Sequence, residues 1–324
     1  MKVLVTGGTG FLGSHLIDRL LGTPDVEVHA LVRSPERARR LEGRGDIRFL
    51  RGSLLDLPPL PAGLGVVYHL AGVTKAGKSS DYYTVNRDGT ASLLRALARG
   101  DASPRLVHVS SMAADGPSPP GRPGREDDPP RPVSPYGRSK LLAEAEALKW
   151  KDRFPLVILR PAAVYGPGDE DFLDFFRLIG RGILPLYGRR RKSLSVCAAS
   201  DAVAAMVLAA GADVASGEVF NVAHPEPATW EELGGTAARI LGRKAVRIRV
   251  PPWTAYAVCA VSDGLGRLRR RPTALNLSKY RDMLPDAWEA DVTKARRVLG
   301  FEARVPLEEG LRETLGWYVR NGRL

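Results

Sequence analysis

The feature that most narrows the fold is the run Thr6-Gly7-Gly8-Thr9-Gly10-Phe11-Leu12-Gly13, set between apolar residues 3–5 and a helical pattern over 11–21. Glycines at these spacings meet three needs: a tight turn, close approach of backbone to a pyrophosphate, and close contact of helix and strand. The helix that follows turns its free N–H groups toward the anion over the turn. A strand, glycine turn and helix in this order open a dinucleotide-binding βαβ unit. Gly7, Gly10, Phe11, Leu12 and Gly13 are its expected cofactor-contacting positions.

The remainder of the first half keeps that rhythm. Strands are predicted at 3–5, 26–32, 47–50, 66–70, 106–109 and 156–159, and several of these are near-continuous β-branched or leucine runs, as expected for parallel strands buried on both faces. Helical patterns at 11–21, 35–41, 80–99 and 136–151 lie between them. The expected fold is α/β, a Rossmann-type doubly wound parallel sheet over residues 1–168. Residues 169–324 then form a smaller mixed α/β substrate lobe, with the chain free to cross between the two. Helices are expected there at 172–181, 201–210, 230–241, 253–269 and 307–321, with strands at 219–222 and 246–250. Residues 115–135 hold eight prolines, which exclude regular structure and leave a linker or an active-site loop.

Composition sets outer limits. At 44% hydrophobic and 26% charged the chain is globular, and two cysteines, Cys197 and Cys259, build no disulfide framework. The net charge of +12 favours anionic partners, yet it is spread, with local runs only at 189–192 and 267–271. No recognition motif accompanies it, so nucleic acid is not an expected partner. Met1-Lys2 passes directly into the first strand, and the apolar stretch 253–261 is far short of the ~20 residues that span a bilayer. The expectation is a cytoplasmic protein that is not transmembrane. The stripe Trp253, Tyr256, Ala257, Ala260 and Val261, followed by the basic run 267–271, leaves peripheral membrane contact open. The five histidines show no metal-ligand spacing with the cysteines, and no metal is expected.

Two further patterns carry chemistry. About 20 residues beyond the glycine turn, NAD-specific sites place an acidic residue on the adenosine ribose. This chain has Arg33 there, with Arg37, Arg39 and Arg40 just beyond. An arginine fork pairs with a 2′-phosphate, so NADP(H) is the preferred cofactor, with NAD(H) as the alternative. Farther on, Tyr136-Gly137-Arg138-Ser139-Lys140 puts a phenol and an ammonium one helical turn apart. A neighbouring cation favours the phenolate and lowers a phenol pKa from about 10 toward the working range. Ser110-Ser111 closes the preceding strand with hydroxyls able to orient a substrate oxygen.

These motifs together resemble the extended short-chain dehydrogenase/reductase family. The resemblance rests on the glycine run, His69-Leu70-Ala71-Gly72, Val85–Thr90 with Asn86, Val109-Ser110-Ser111, Tyr136-x-x-x-Lys140 and Arg160–Gly168. It extends to Leu299-Gly300-Phe301 and Leu307–Leu311 near the C-terminus. The resemblance implies that Tyr136 is the acid/base, that Lys140 lowers its pKa and holds the nicotinamide ribose, and that Ser111 polarises the substrate oxygen. It further implies that Asn86 braces the helix beside the site. Leu70, Ala71 and Gly72 would line the cofactor, and Pro161 and Val164 would flank the carboxamide.

Two departures from the family bear on ligands. Gly52-Ser53-Leu54 stands where Gly-Asp-Leu is frequent, leaving the adenine contact to Ser53, Leu54 and backbone. Leu194 stands where sugar-nucleotide members carry an arginine that grips the substrate diphosphate. The expected activity is therefore hydride transfer between nicotinamide and a secondary alcohol or ketone of an apolar, sterol- or flavonol-like molecule. Two alternatives are a nucleotide-sugar epimerase or dehydratase with tightly held NAD, and a non-catalytic dinucleotide-sensing module. The resemblance also suggests a homodimer formed through helices 80–99 and 136–151.

Overall fold

The β-branched and leucine runs of most early segments bury both sides of their strands, whereas the edge strand 47–51 keeps Arg48 and Arg51 exposed. A computed structural model describes all residues except 40, 120, 189, 269–272, 274 and 275, and all described side chains except those of 267 and 268. Arg40, Arg189 and much of the basic run 267–271 thus lie outside the described residues.

In chain order the first half forms β1 (Lys2–Thr6), α1 (Phe11–Leu21), β2 (Glu27–Val32), α2 (Pro35–Ala38), β3 (Ile47–Arg51), β4 (Leu64–His69), α3 (Ser79–Tyr82), α4 (Gly89–Leu97), β5 (Arg105–Val109), α5 (Pro135–Leu148) and β6 (Leu156–Pro161). The second half adds β7 (Ala163–Tyr165), α6 (Leu173–Gly180), β8 (Ile183–Tyr187), β9 (Ser193–Leu194), β10 (Val196–Ala198), α7 (Ala199–Gly211), β11 (Glu218–Val222) and β12 (Ala228–Thr229). It closes with α8 (Trp230–Ile240), β13 (Val246–Val250), α9 (Pro252–Leu268), α10 (Leu277–Met283), β14 (Ala287–Trp288) and α11 (Leu307–Arg320).

The central sheet has seven parallel strands in the order β11-β6-β5-β4-β1-β2-β3. The chain reverses direction of travel between β1 and β4, and the crevice beyond their carboxyl ends is where such sheets bind ligands. Alternation divides the core by face. Val3, Val5, Val107 and Val157 pack under Leu16 and Ile17 of α1 and Met206 of α7. Leu4, Val67, Leu106 and Ile158 pack under Leu93 and Leu94 of α4. Each fully buried side chain of this kind contributes about 1.5–3 kcal/mol, which fixes the sheet as the frame of the molecule. The seventh strand, β11, comes from beyond residue 168 and returns the chain to the sheet.

A second core joins α6, α8 and α11 through Phe176, Leu184, Leu233, Leu311 and Tyr318. Short strand pairs surround it: β13 beside β8, β10 beside β7, and β9 between β12 and β14. Among the described residues no helix is long and apolar enough to cross a membrane.

Three expectations are corrected locally. The helix expected over 80–99 is broken into α3, a π-helical turn at Tyr83–Asp88, and α4. The turn carries Asn86, whose side chain is drawn out of the helix surface to serve two other segments, as described below. The helix expected over 35–41 stops at Ala38. The proline-rich segment is no linker: Arg131 N–H bonds Asp115 O at 2.5 Å, Gly124 N–H bonds Glu289 O at 2.8 Å, and Asp291 N–H bonds Gly124 O at 2.8 Å. Proline removes donors along this loop, and neighbouring backbone supplies the bonds that strands would have made.

Candidate active site

The glycine turn sits at the carboxyl end of β1, beside the switch point. Gly7 has φ +77°, and a Cβ there would lie 2.7 Å from Ala71 N, so only glycine lets this turn pass the 70–72 segment. A Cβ at Gly13 would lie 2.1 Å from Gly7 O, which is the close helix–strand contact expected of the third glycine. Gly10 caps α1 without any side-chain acceptor, and the first helical bond runs from Ser14 N–H to Gly10 O at 3.0 Å. The amides before Ser14 have no helical acceptor and open onto the crevice. A backbone cradle of this shape, closed to side chains and lined with N–H donors, fits a dinucleotide pyrophosphate.

The other expected cofactor positions surround the cradle. Leu70 N–H bonds Thr6 O, and Ala71 N–H bonds Thr6 Oγ1, at 3.1 and 3.2 Å, tying the 70–72 segment to the turn. Gly72 abuts Asn86. Pro161 ends β6, and Val164 lies in β7, half-buried against the sheet core. Phe11 packs edge-on to His15, whose Nε2 meets Pro167 O at 2.8 Å. Leu12 is half-buried against the same core. Arg33 stands exposed one residue beyond β2. Ser53 follows β3, where its Oγ accepts from Asp56 N–H at 3.1 Å. Leu54 is only 6% exposed and packs against Gly89, so its side chain serves the core.

Ser111, Tyr136 and Lys140 are brought together by β5 and α5. Ser111 has extended backbone and caps a single helical turn, its Oγ accepting from Ala113 N–H at 3.1 Å. Ser134 starts α5 by accepting from Gly137 N–H at 3.1 Å, with Pro135 in the first turn, where its missing donor costs nothing. Tyr136 therefore emerges at the very head of the helix, where the Ser111 hydroxyl is close enough to act on its phenol. Lys140 lies one turn on, is 6% exposed, and donates from Nζ to Val109 O at 2.7 Å. Asn86 braces this arrangement: Nδ2 donates to Ser139 Oγ at 2.8 Å and to Val73 O at 3.2 Å, while Oδ1 accepts from Val73 N–H at 2.8 Å.

Electrostatics depart from expectation at the phenol. Burial pushes Tyr136 up to about 12, with the Ser111 hydrogen bond pulling the other way and Asp171, Asp282 and Tyr82 adding to the rise. The lowering expected from Lys140 is not seen; desolvation penalises the phenolate and dominates. Burial also brings Lys140 down to about 8, opposed by Glu144 one turn farther along α5. Below Lys140 lie two buried imidazoles with rings 5.2 Å apart, His69 and His108. His69 is bonded by Thr6 Oγ1 at 2.7 Å and Thr90 Oγ1 at 2.8 Å, and burial with the nearby ammonium takes it down to about 3. Both rings are neutral under Lys140, and both are structural in position.

Several residues at the site were not singled out by sequence. Glu144 is 2% exposed and receives Arg160 in a two-point grip, Nε at 3.0 Å and Nη2 at 2.7 Å, together with the Ser110 hydroxyl. Arg160 also donates to Asp115 Oδ1 at 2.6 Å. The signal was available, since Glu144 lies four residues beyond Lys140 on the same helical face. At the mouth, the Tyr82 ring lies 6.0 Å from that of Tyr136, and its hydroxyl donates to Thr74 O at 3.3 Å. Burial raises the carboxyl of Asp282 of α10 above its ordinary value, and its Oδ1 is buried without a hydrogen-bond partner. Lys75 pairs with Asp171 at 2.7 Å across the same opening. No sequence pattern pointed to α10, whose seven residues are too few for periodicity to register. Among the described residues there is no cluster of potential metal ligands.

Comparison with known proteins agrees with this geometry. The model of the NAD dependent epimerase/dehydratase family matches residues 3–223. A ceramide reductase of Caulobacter vibrioides is 31% identical, covering 99% of this chain and 96% of its own. A 4-hydroxy-2-methyl-3-oxo-4-farnesyl-3,4-dihydroquinoline-1-oxide ketoreductase of Stigmatella aurantiaca is 31% identical over 96% of this chain and 95% of its own. Among solved structures, the UDP-glucuronic acid 4-epimerase of Bacillus cereus in complex with NAD superposes with a TM-score of 0.78 at 25% identity, covering 99% of each chain.

Proposed function

The chain belongs to the NAD-dependent epimerase/dehydratase family, an NAD(P)-dependent group of extended short-chain dehydrogenases/reductases, and from that premise we propose that it reduces a ketone, or oxidises the matching secondary alcohol, of an apolar lipid-like substrate. Residues 1–168 with β11 supply the cofactor platform in this reading, and residues 169–324 supply most of the substrate lobe. A bound nicotinamide supplies the hydride. Ser111 holds the substrate oxygen, Tyr136 delivers the proton to it, and Lys140 takes a ribose hydroxyl in addition to Val109 O. A phenol held near 12 by burial stays protonated throughout the physiological range, which suits proton donation and therefore the reductive direction.

The observation that carries the substrate class is Leu194. It is 5% exposed and packs into the core of the small lobe, where a sugar-nucleotide enzyme of this family would present an arginine to a diphosphate. The two relatives described above, acting by name on a ceramide and a farnesylated quinoline, support the same reading. NADP(H) is the preferred cofactor in this proposal, on the strength of exposed Arg33 at the end of β2. A homodimer is proposed through α4 and α5, which lie side by side.

The deciding experiment mixes purified protein with NADPH and a long-chain ketone and follows NADPH consumption together with alcohol formation. Tyr136→Phe lowers kcat/KM by about 10²–10⁴ while its melting temperature holds. The second reading, a nucleotide-sugar epimerase, is favoured by the epimerase-like fold. Cofactor retained through purification, with a UDP-sugar interconverted and no net NADPH consumed, would establish that reading and overturn ours.

A further inference from the structure

Helix α9 is turned inside out relative to an ordinary surface helix. Ala255 and Cys259 are buried, 8% and 2% exposed, whereas Trp253 is 72% exposed, Val258 55%, Val261 64% and Leu265 46%. Trp253, Ala257, Val261 and Leu265 follow one another at intervals of four, so they form a single outward stripe about 18 Å long. Charged residues normally take that face, and a contiguous apolar one marks a contact surface. The strand that feeds the helix shows the same property, with Val246 68% and Ile248 44% exposed.

Charge identifies the occupant. From residue 243 to 271 the sequence carries eight arginines or lysines and one acidic residue, Asp263. Arg243, Lys244 and Arg247 are exposed just before the helix, and Arg267 opens the basic run at its end. An apolar stripe preceded by exposed cations, with four more arginines following it in the sequence, matches the layering of a bilayer surface, acyl chains below and anionic headgroups beside them. A second protein would need acidic and apolar groups in the same alternation.

The helix also lies at the mouth of the catalytic site. It packs on α10, with Tyr256 and Tyr280 rings 5.4 Å apart and nearly perpendicular. Asp282 of α10 in turn lies close enough to Tyr82 and Tyr136 for its charge to act on both phenols. We propose that the outward face of α9 docks on an anionic lipid bilayer, bringing the opening above Tyr136 to the membrane surface so that an apolar substrate passes between bilayer and site. The role of the docked site rests on the lipid-like substrate proposed above; the docking itself does not.

The test is co-sedimentation of the full chain with vesicles of phosphatidylcholine alone or with phosphatidylglycerol added, beside sedimentation velocity without lipid. The wild-type protein binds the anionic vesicles and not the neutral ones. Trp253→Asp with Val261→Asp reduces binding at least about tenfold, and Arg247→Ala about fivefold, as expected for lost interfacial apolar area and one lost surface cation. NADPH affinity and melting temperature stay unchanged in these variants. Absence of binding to anionic vesicles overturns the proposal, and so does loss of a dimer in the aspartate variant, which would show that a second copy covers α9. Vesicle binding without reduction of any lipid ketone would sink the proposed substrate class and leave the docking intact. Reduction of a short, water-soluble ketone without vesicle binding would do the reverse.

Discussion

Replacing Glu144 by glutamine tests whether the buried network behind the site tunes Lys140 or merely fills space. The substitution keeps shape and removes one charge. Glu144 favours the Lys140 ammonium against a burial that has already brought it down to about 8. One helical turn separates the two side chains, roughly 6 Å, and at an effective dielectric near 20 their attraction is about 3 kcal/mol. Allowing for relaxation, its loss lowers the Lys140 pKa by roughly 1–2 units. The ammonium then disappears between about pH 6 and 7 instead of near 8.

The readout follows from the proposed role of Lys140 on the ribose. A charge-assisted hydrogen bond is worth about 1.5–3 kcal/mol, so NADPH affinity should weaken by about tenfold or more as Lys140 deprotonates. Fluorescence titrations of NADPH between pH 6 and 9.5 should show that decline centred near 8 in the wild type and shifted down in Glu144→Gln. NADH, which has no 2′-phosphate to titrate, should show the same displacement. Stability falls as well, by about 3 kcal/mol, because Arg160 keeps Asp115 but loses its two-point grip. A purely structural Glu144 would produce the stability loss alone. Identical pH curves in the two proteins would therefore refute the tuning argument, however much the melting temperature dropped.

Two further perturbations probe other parts of the reading. Arg33→Ala should weaken NADPH binding by about tenfold or more with little effect on NADH, measured by the same titration; equal weakening of both, or of neither, removes Arg33 from the 2′-phosphate. Asp115→Asn addresses pH and stability: burial, opposed by Arg160, raises its carboxyl from 3.8 to about 6. The folded protein thus holds a proton that the unfolded chain has released, so this contribution is complete below about pH 4 and is lost as pH rises through about 6. Over that window denaturant unfolding should show wild-type stability declining by up to about 3 kcal/mol from this group, and the asparagine variant should lack that part. Asp169, also raised to about 6 by burial, leaves a residual slope in both proteins.

How much of this was legible in the sequence depended on length of pattern and on whether a residue acts through its own type. The glycine turn was readable because Gly7 and Gly13 sit where any Cβ would collide with backbone, so geometry dictates composition. The central strands were readable because burial on both faces leaves unbroken apolar runs. The strands β7, β9, β10, β12 and β14 have two or three residues each, fewer than any period needs. The π-helical turn at Tyr83–Asp88 was hidden for a different reason: its neighbours on both sides carry an ordinary helical pattern, and only Asn86 reaching to Val73 and Ser139 reveals the break.

The candidate catalytic residues illustrate a sharper limit. Spacing placed Tyr136 and Lys140 on one face, and the structure keeps them there, but spacing says nothing about solvent. The shift of Tyr136 to about 12 is set by burial under Tyr82 and by the carboxylates Asp171 and Asp282, which lie 35 and 146 residues away in sequence. Those carboxylates belong to the loop after β7 and to α10, the segments that frame the mouth. Their arrangement means that whatever covers the mouth also sets the proton affinity of the phenol. An apolar substrate leaves both carboxylates to raise that affinity, which favours a phenol that gives its proton away. A substrate bringing its own cations or hydroxyls to Asp282 Oδ1, the oxygen left without a partner, would lower it and favour removal of a proton instead. On the proposed role of Tyr136, the pH range over which it can give or take a proton is therefore set less by the Tyr-x-x-x-Lys spacing than by the groups the small lobe lays across it.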